Sequence, residues 1–166
     1  MSDKQVRFIR KNGRIIPIRM STQEKVGRIS AATAITAGAS LSYYNLGMKA
    51  VSTSSAVKSF RNAVHAKQAM KVFPKQISYL AQKFMNERGA AKFHAAEQLR
   101  YGNNFKKSMA LLGAGILGSA YYLRKQAKTD KQKKDANIRI GSAVGMLGAF
   151  ALANRNIDKA VSKFTG

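Results

Sequence analysis

The pattern of apolar and polar positions changes character three times along the chain. Residues 6–19 read VRFIRKNGRIIPIR, two β-prone runs flanking Asn12-Gly13. Both central residues of a type I′ turn need positive φ, so this dipeptide between such runs predicts a hairpin. A two-residue loop pairs Lys11 with Arg14, Ile9 with Ile16 and Arg7 with Ile18. Pro17 donates no ladder hydrogen bond, which makes the second strand an edge. Two strands alone are marginal in water, so the hairpin is expected to dock on the chain's own helices or on a partner.

Helical spacing takes over next. Ser21-Thr22-Gln23-Glu24 has the spacing of a capping box, and a helix is expected from Thr22 towards Lys49. Its apolar section is rich in Ala, Thr and Ser, with Ala34, Gly38 and Ser42 four apart on one face. From Ser52 to Lys107 the pattern is amphipathic and basic. Val57, Phe60 and Val64 follow helical spacing, and Pro74 suits the first turn of a new helix. Ile77, Leu80, Ala81, Phe84 and Met85 form an apolar stripe on that helix. Gly89 is expected to interrupt it, Phe93, Ala96 and Leu99 to continue it, and Gly102-Asn103-Asn104 to form a turn.

The last third reads as a helical hairpin. Ala110, Ala114 and Gly118 recur every fourth residue in one arm, and Gly141, Gly145, Ala149 and Ala153 do so in the other. Small residues at this spacing make a smooth ridge along which two helix backbones approach closely. The two arms are therefore expected to pack antiparallel on each other. The fold class is mainly α: a helical bundle with an Ala/Gly-rich helical hairpin and a short N-terminal β-hairpin. Three regions follow: a docking hairpin over 1–20, a basic helical region over 21–107, and the Ala/Gly-rich hairpin with its basic linker and tail over 108–166.

Charge sharpens this picture. Thirty Lys and Arg against seven Asp and Glu give a formal charge of +23. Three stretches nevertheless carry no charge: Ser30 to Met48, Ser108 to Leu123 and Ile140 to Asn154. A field this positive attracts nucleic acid, anionic lipid or an acidic protein surface. The linker concentrates it, with Arg124, Lys125, Lys128, Lys131, Lys133, Lys134 and Arg139 as expected polyanion contacts. Spread charge without interleaved aromatics suits phosphate contact rather than base reading. Self-association is left open.

The uncharged stretches admit two readings. Crossing about 30 Å of hydrocarbon takes about 20 helical residues. The first stretch is long enough but diluted by Ser, Thr and Asn, and the other two are apolar but short. Flanking Lys and Arg suit snorkelling, and Tyr121 and Tyr122 sit where an interfacial aromatic belt would lie. The other reading is a soluble bundle in which Ala and Gly permit tight packing. If these helices enter a bilayer, conditional insertion on release beside a membrane is favoured over permanent residence, with basic amphipathic segments assisting on anionic headgroups.

Catalytic chemistry is not expected. Cysteine is absent, which removes disulfides and thiolate metal sites. His65 and His94 lack a ligand partner at helical spacing, and the seven acids are scattered. No serine lies in a G-x-S-x-G elbow, and Gly113-Ala114-Gly115 precedes no GK[ST]. No cofactor or metal is expected. Nor does the Arg-rich start read as a secretory signal, because basic residues precede any apolar run.

The N-terminal pattern R-F-I-R-x-N-G-R-I-I-P-I-R resembles a short element of accessory virion proteins of tailed bacteriophages, which include small basic proteins packaged with the genome or ejected with it. The resemblance covers about 14 of 166 residues. It implies a viral, non-enzymatic setting and carries over no active-site residue. Arg7, Phe8, Ile9, Arg10, Asn12, Gly13, Arg14, Ile16, Pro17 and Ile18 would be the docking element towards other virion proteins. The expected role is an accessory or structural virion protein, placed in the particle interior or tail. It would bind packaged DNA or an acidic protein surface, and enter the host envelope during genome ejection. A small cationic integral-membrane protein and a soluble nucleic-acid packaging protein are the alternatives.

Overall fold

Ser21 opens the first helix by accepting a hydrogen bond from the Glu24 amide at 3.1 Å. From there no proline occurs until Pro74, and the helix runs uninterrupted to Val72. The computed structural model describes the backbone of 7–11, 14–18, 21–127 and 129–165, and the side chains of 21–127 and 129–159. The chain is mainly α. Strands β1 (Arg7–Lys11) and β2 (Arg14–Ile18) pair antiparallel, with Lys11 opposite Arg14, Ile9 opposite Ile16 and Arg7 opposite Ile18. Asn12 and Gly13 lie outside the described residues.

Helix α1 (Thr22–Val72) has 51 residues, a single 3₁₀ turn (Pro74–Gln76) reverses the chain, and α2 (Ile77–Gln126) returns over 50. At 1.5 Å per residue each helix is about 75 Å long. The two pack antiparallel along their length, placing Glu24 beside Lys125, Ile35 beside Gly115, Ser42 beside Ser108 and Asn62 beside Glu87. Apart from Thr53, buried positions on α1 fall in two series spaced by seven or fourteen residues: Ala31, Gly38, Asn45, Ser52 and Ala66, and Ser42, Lys49 and Ala63. On α2, Phe105 and Leu112 form one such pair, Ser108 and Gly115 another. A seven-residue repeat keeps one seam of each helix on its partner.

Helix α3 (Asp130–Thr165) starts with a reciprocal cap. The Gln132 amide donates to Thr129 Oγ1 and the Thr129 amide to Gln132 Oε1, each at 3.3 Å. It runs back parallel to α1 and touches both helices of the hairpin along one side. Its inward residues Ala136, Ile140, Ala143, Leu147 and Phe150 again alternate spacings of four and three. It covers only the half of the rod nearest the chain ends of the hairpin, since Asn154 and Asp158 already reach Lys49. The accessible surface of 12301 Å² exceeds by about half the roughly 8,000 Å² of a compact monomer of this mass.

Several expectations from the sequence are corrected here. The first helix does not stop near Lys49. Gly89 and Gly102-Asn103-Asn104 are all helical, because α2 is held by its partner helix along its whole length. The boundary at 107/108 lies inside α2 and marks no break in the backbone. The 108–123 arm packs principally on α1, not on the 140–154 arm. A Cβ on Gly115 would lie 2.7 Å from the Ile35 amide nitrogen, whereas Gly141 and Gly145 face open space. Of the ridge Ala110, Ala114 and Gly118, only Gly118 approaches a partner, Ala31, while Ala110, Ala114 and Ala149 are exposed.

Candidate functional site

The antiparallel pairing brings the three uncharged stretches to one level. Gly38 lies so close to α2 that an added Cβ would sit 2.5 Å from the Leu112 amide nitrogen. Four residues further along α1, the Ser42 hydroxyl donates to Ser108 Oγ at 3.0 Å, and Ser108 donates on to the Phe105 carbonyl at 2.8 Å. Small side chains thus bring the backbones together, and the buried hydroxyls satisfy each other. Ile140 and Ala143 of α3 face Ile35 and Ile116 across a cleft of about 350 Å³. Further along, the Phe105 and Phe150 rings meet edge to face at 6.5 Å. The result is an uncharged three-helix belt.

Inside it, small and polar residues of α1 pack on Phe105, Leu112 and Ile116 of α2, and outside it carries large apolar side chains. Leu41, Leu117, Val144, Met146 and Leu152 point outward, Leu117 with 73% of its surface exposed. Two exposed hydroxyls in the belt bond back to their own helices: Thr36 to the Ala32 carbonyl at 3.1 Å and Ser142 to the Ile138 carbonyl at 3.0 Å. Such bonds let Ser and Thr face an apolar medium without an unpaired donor. Tyrosines mark both edges. Tyr43 and Tyr44 lie at one, Tyr44 edge to face with Tyr101 at 6.4 Å, and Tyr121 and Tyr122 lie at the other. Tyr122 stands at the level of Gly27, so 17 helical positions, about 25 Å, separate the two tyrosine levels. That is a few ångströms less than a hydrocarbon core.

Charged zones close both ends. At the α2–α3 turn, Arg124, Lys125, Lys131, Lys133, Lys134 and Arg139 are all exposed, and Arg139 shares the cleft mouth with Arg28 of α1. Lys133 pairs with Asp130 at 3.2 Å and Lys125 with Glu24 at 3.4 Å. The structure therefore gathers the polyanion contacts expected from the linker; Lys128 lies outside the described residues. At the other end the Lys49 side chain, only 6% exposed, donates to Asn154 Oδ1 at 2.7 Å and to Asp158 Oδ1 at 2.5 Å. This knot ties α3 to α1. It was not visible in the sequence, where Lys49 read as the end of a helix.

Past the end of α3, two turns beyond the knot, the described rod consists of α1 and α2. Residues 52–100 hold nine Lys and Arg against Glu87 and Glu97. Glu87 accepts from Asn62 at 3.2 Å, and His94 Nδ1 lies 3.2 Å from Glu97 one turn on. Among the described residues no three His, Asp or Glu side chains come together as a metal site. The apolar stripes of this amphipathic region are only partly buried. Leu80 is inside, while Phe60, Ile77 and Met85 are exposed.

The chain matches no protein-family model, no curated protein and no solved structure.

Proposed function

We propose that this chain is a non-enzymatic, cationic membrane-associating protein whose uncharged belt seats in a lipid bilayer while its basic zones bind phosphate groups. In the viral setting that the N-terminal resemblance implies, it is an accessory virion protein carried with the genome and brought to the host envelope at ejection. The observation that carries the reading is the alignment of three uncharged stretches, far apart in sequence, into one belt with tyrosines at both edges and Lys and Arg beyond them. Of the three helices, α3 has the length and composition to cross a membrane over Asp130–Lys159, and almost none of it is buried. The α1 and α2 stretches, more polar alone, turn their Ser, Gly and Asn towards each other.

Membrane seating is tested by carbonate-resistant association of the full chain with anionic vesicles. Protein that is washed off under all conditions would make the belt an ordinary soluble bundle. The polyanion half is tested with DNA. Affinity is expected to fall steeply with salt and to show little sequence preference. Changing Lys131, Lys133 and Lys134 together to Gln should reduce the slope of log affinity against log salt by about 2.7, since each phosphate contact contributes about 0.9. A slope that does not change removes the linker from the interface. The virion half is tested at Gly13. A β-branched residue disfavours positive φ, so Gly13→Val should lower incorporation into particles while helix content is retained. Incorporation equal to wild type would sink the docking role of the hairpin.

A further inference from the structure

The end of the rod opposite the belt carries a second apolar cluster that the function proposed above does not use. Where the chain turns from α1 into α2, Val72, Phe73, Ile77 and Tyr79 are each exposed by about half or more, Val72 by 68%. Lys71 and Lys75 are interleaved with them, both exposed. No acidic residue occurs anywhere between Glu24 and Glu87, so this end of α1 and the start of α2 have no negative counter-charge of their own. The shape also matters. Pro74 and the 3₁₀ turn make a convex cap, beneath which Leu80 and Ala66 close the seam.

We propose that this cap is a separate docking site for an anionic lipid surface, its four apolar side chains entering the headgroup boundary and Lys71 and Lys75 resting on lipid phosphates. A convex apolar tip edged with cations is suited to a soft anionic interface, which yields to it and solvates both kinds of side chain. Nucleic acid offers the phosphates but no apolar phase for Val72, Phe73, Ile77 and Tyr79. Because α1 runs on from the belt without a break, 28 positions separate Tyr44 from Val72, about 40 Å. If the belt lies in one bilayer, which rests on the reading above, the cap meets a second, apposed one.

The chain contains no tryptophan, so Phe73→Trp supplies a single reporter at the cap. Full-length F73W is reconstituted in phosphatidylcholine vesicles. Vesicles of phosphatidylcholine alone, or of phosphatidylcholine with phosphatidylglycerol, are then added. Tryptophan emission is expected to shift to the blue, and to be quenched by brominated lipid in the added vesicles, only when those are anionic. Removing both cations (K71Q with K75Q) should raise the lipid concentration at half-shift about thirtyfold, at roughly fivefold per basic residue. V72S with I77S should abolish the shift at unchanged helix content, since neither side chain lies in the seam. If carbonate strips the protein from the first vesicles, the belt reading fails, and the same titration on protein in solution still reads the cap. Emission that stays that of water-exposed tryptophan while the protein sediments with anionic vesicles would overturn the proposal, as would a shift indifferent to Lys71 and Lys75.

Discussion

Gly115→Leu is expected to destabilise the helical hairpin strongly, while Gly145→Leu leaves it unchanged. At Gly115 even the first added carbon meets the Ile35 amide nitrogen at 2.7 Å, the Ile35 side chain at 2.9 Å and the Ala31 carbonyl at 3.0 Å. Two of those neighbours are backbone atoms of α1, so relief requires the helices to move apart. Overpacking of this kind costs about 1–3 kcal/mol, and a backbone clash lies at the upper end. For a chain of this length that corresponds to a Tm lower by roughly 6–12 °C. Separation at Gly115 would also strain the neighbouring Ser42–Ser108 hydrogen bond. Gly145 has nothing within 4 Å, so leucine there extends into open space. Thermal unfolding of the two variants followed by circular dichroism decides the matter. Equal stabilities would mean that α1 and α2 do not meet through this seam.

Leu117→Arg is expected to abolish seating in a bilayer without unfolding the protein. Leu117 is near the middle of the belt on α2 and 73% exposed, so arginine displaces no packed neighbour. A cation at the centre of a membrane helix opposes insertion by about 2.5–3.5 kcal/mol on the translocon scale, a fall of roughly 70- to 400-fold in the inserted fraction. The matching change beyond the belt, Ile138→Arg, adds a cation beside Arg139, where headgroups are expected, and should have little effect. Carbonate-resistant association of wild type and both variants with anionic vesicles reads the difference. If L117R stays in the membrane as wild type does, this face of α2 does not meet lipid.

Much of the local structure was legible. Ser21 and Glu24 announced the start of α1, Pro74 the start of the return, and the four-residue spacing of small residues a close helical approach. The partner of that approach was not legible. Phe105, Leu112 and Ile116 of α2 are buried against a seam on α1 built from Ala, Gly, Ser, Thr, Asn and Lys, residues that leave no trace in a hydrophobic pattern. Its seven-residue repeat is therefore silent in the sequence until burial reveals it. The stripe Ile77, Leu80 and Met85 is the opposite case: its spacing shows in the sequence, yet only Leu80 is buried, while Ile77 and Met85 face outward. Glycines at 89 and 102 misled for a related reason. An isolated glycine costs a helix only about 1 kcal/mol, and packing against a partner helix along some 50 residues outweighs it.

Composition and order along the chain alone determine that the protein is mainly helical and strongly cationic, and that its charge is interrupted three times. These are local properties, set by capping residues, by the scarcity of proline and by which side chains ionise. Only the tertiary structure decides that the three interruptions lie side by side, that Lys49 ties α3 to α1, and that the apolar turn at Phe73 stands about 40 Å from the belt. Each of these depends on which helix pairs with which, and in what register. Where Gly38 and Gly115 meet the partner's backbone, that choice depends on how closely backbones approach, a quantity that no single residue carries in its own side chain.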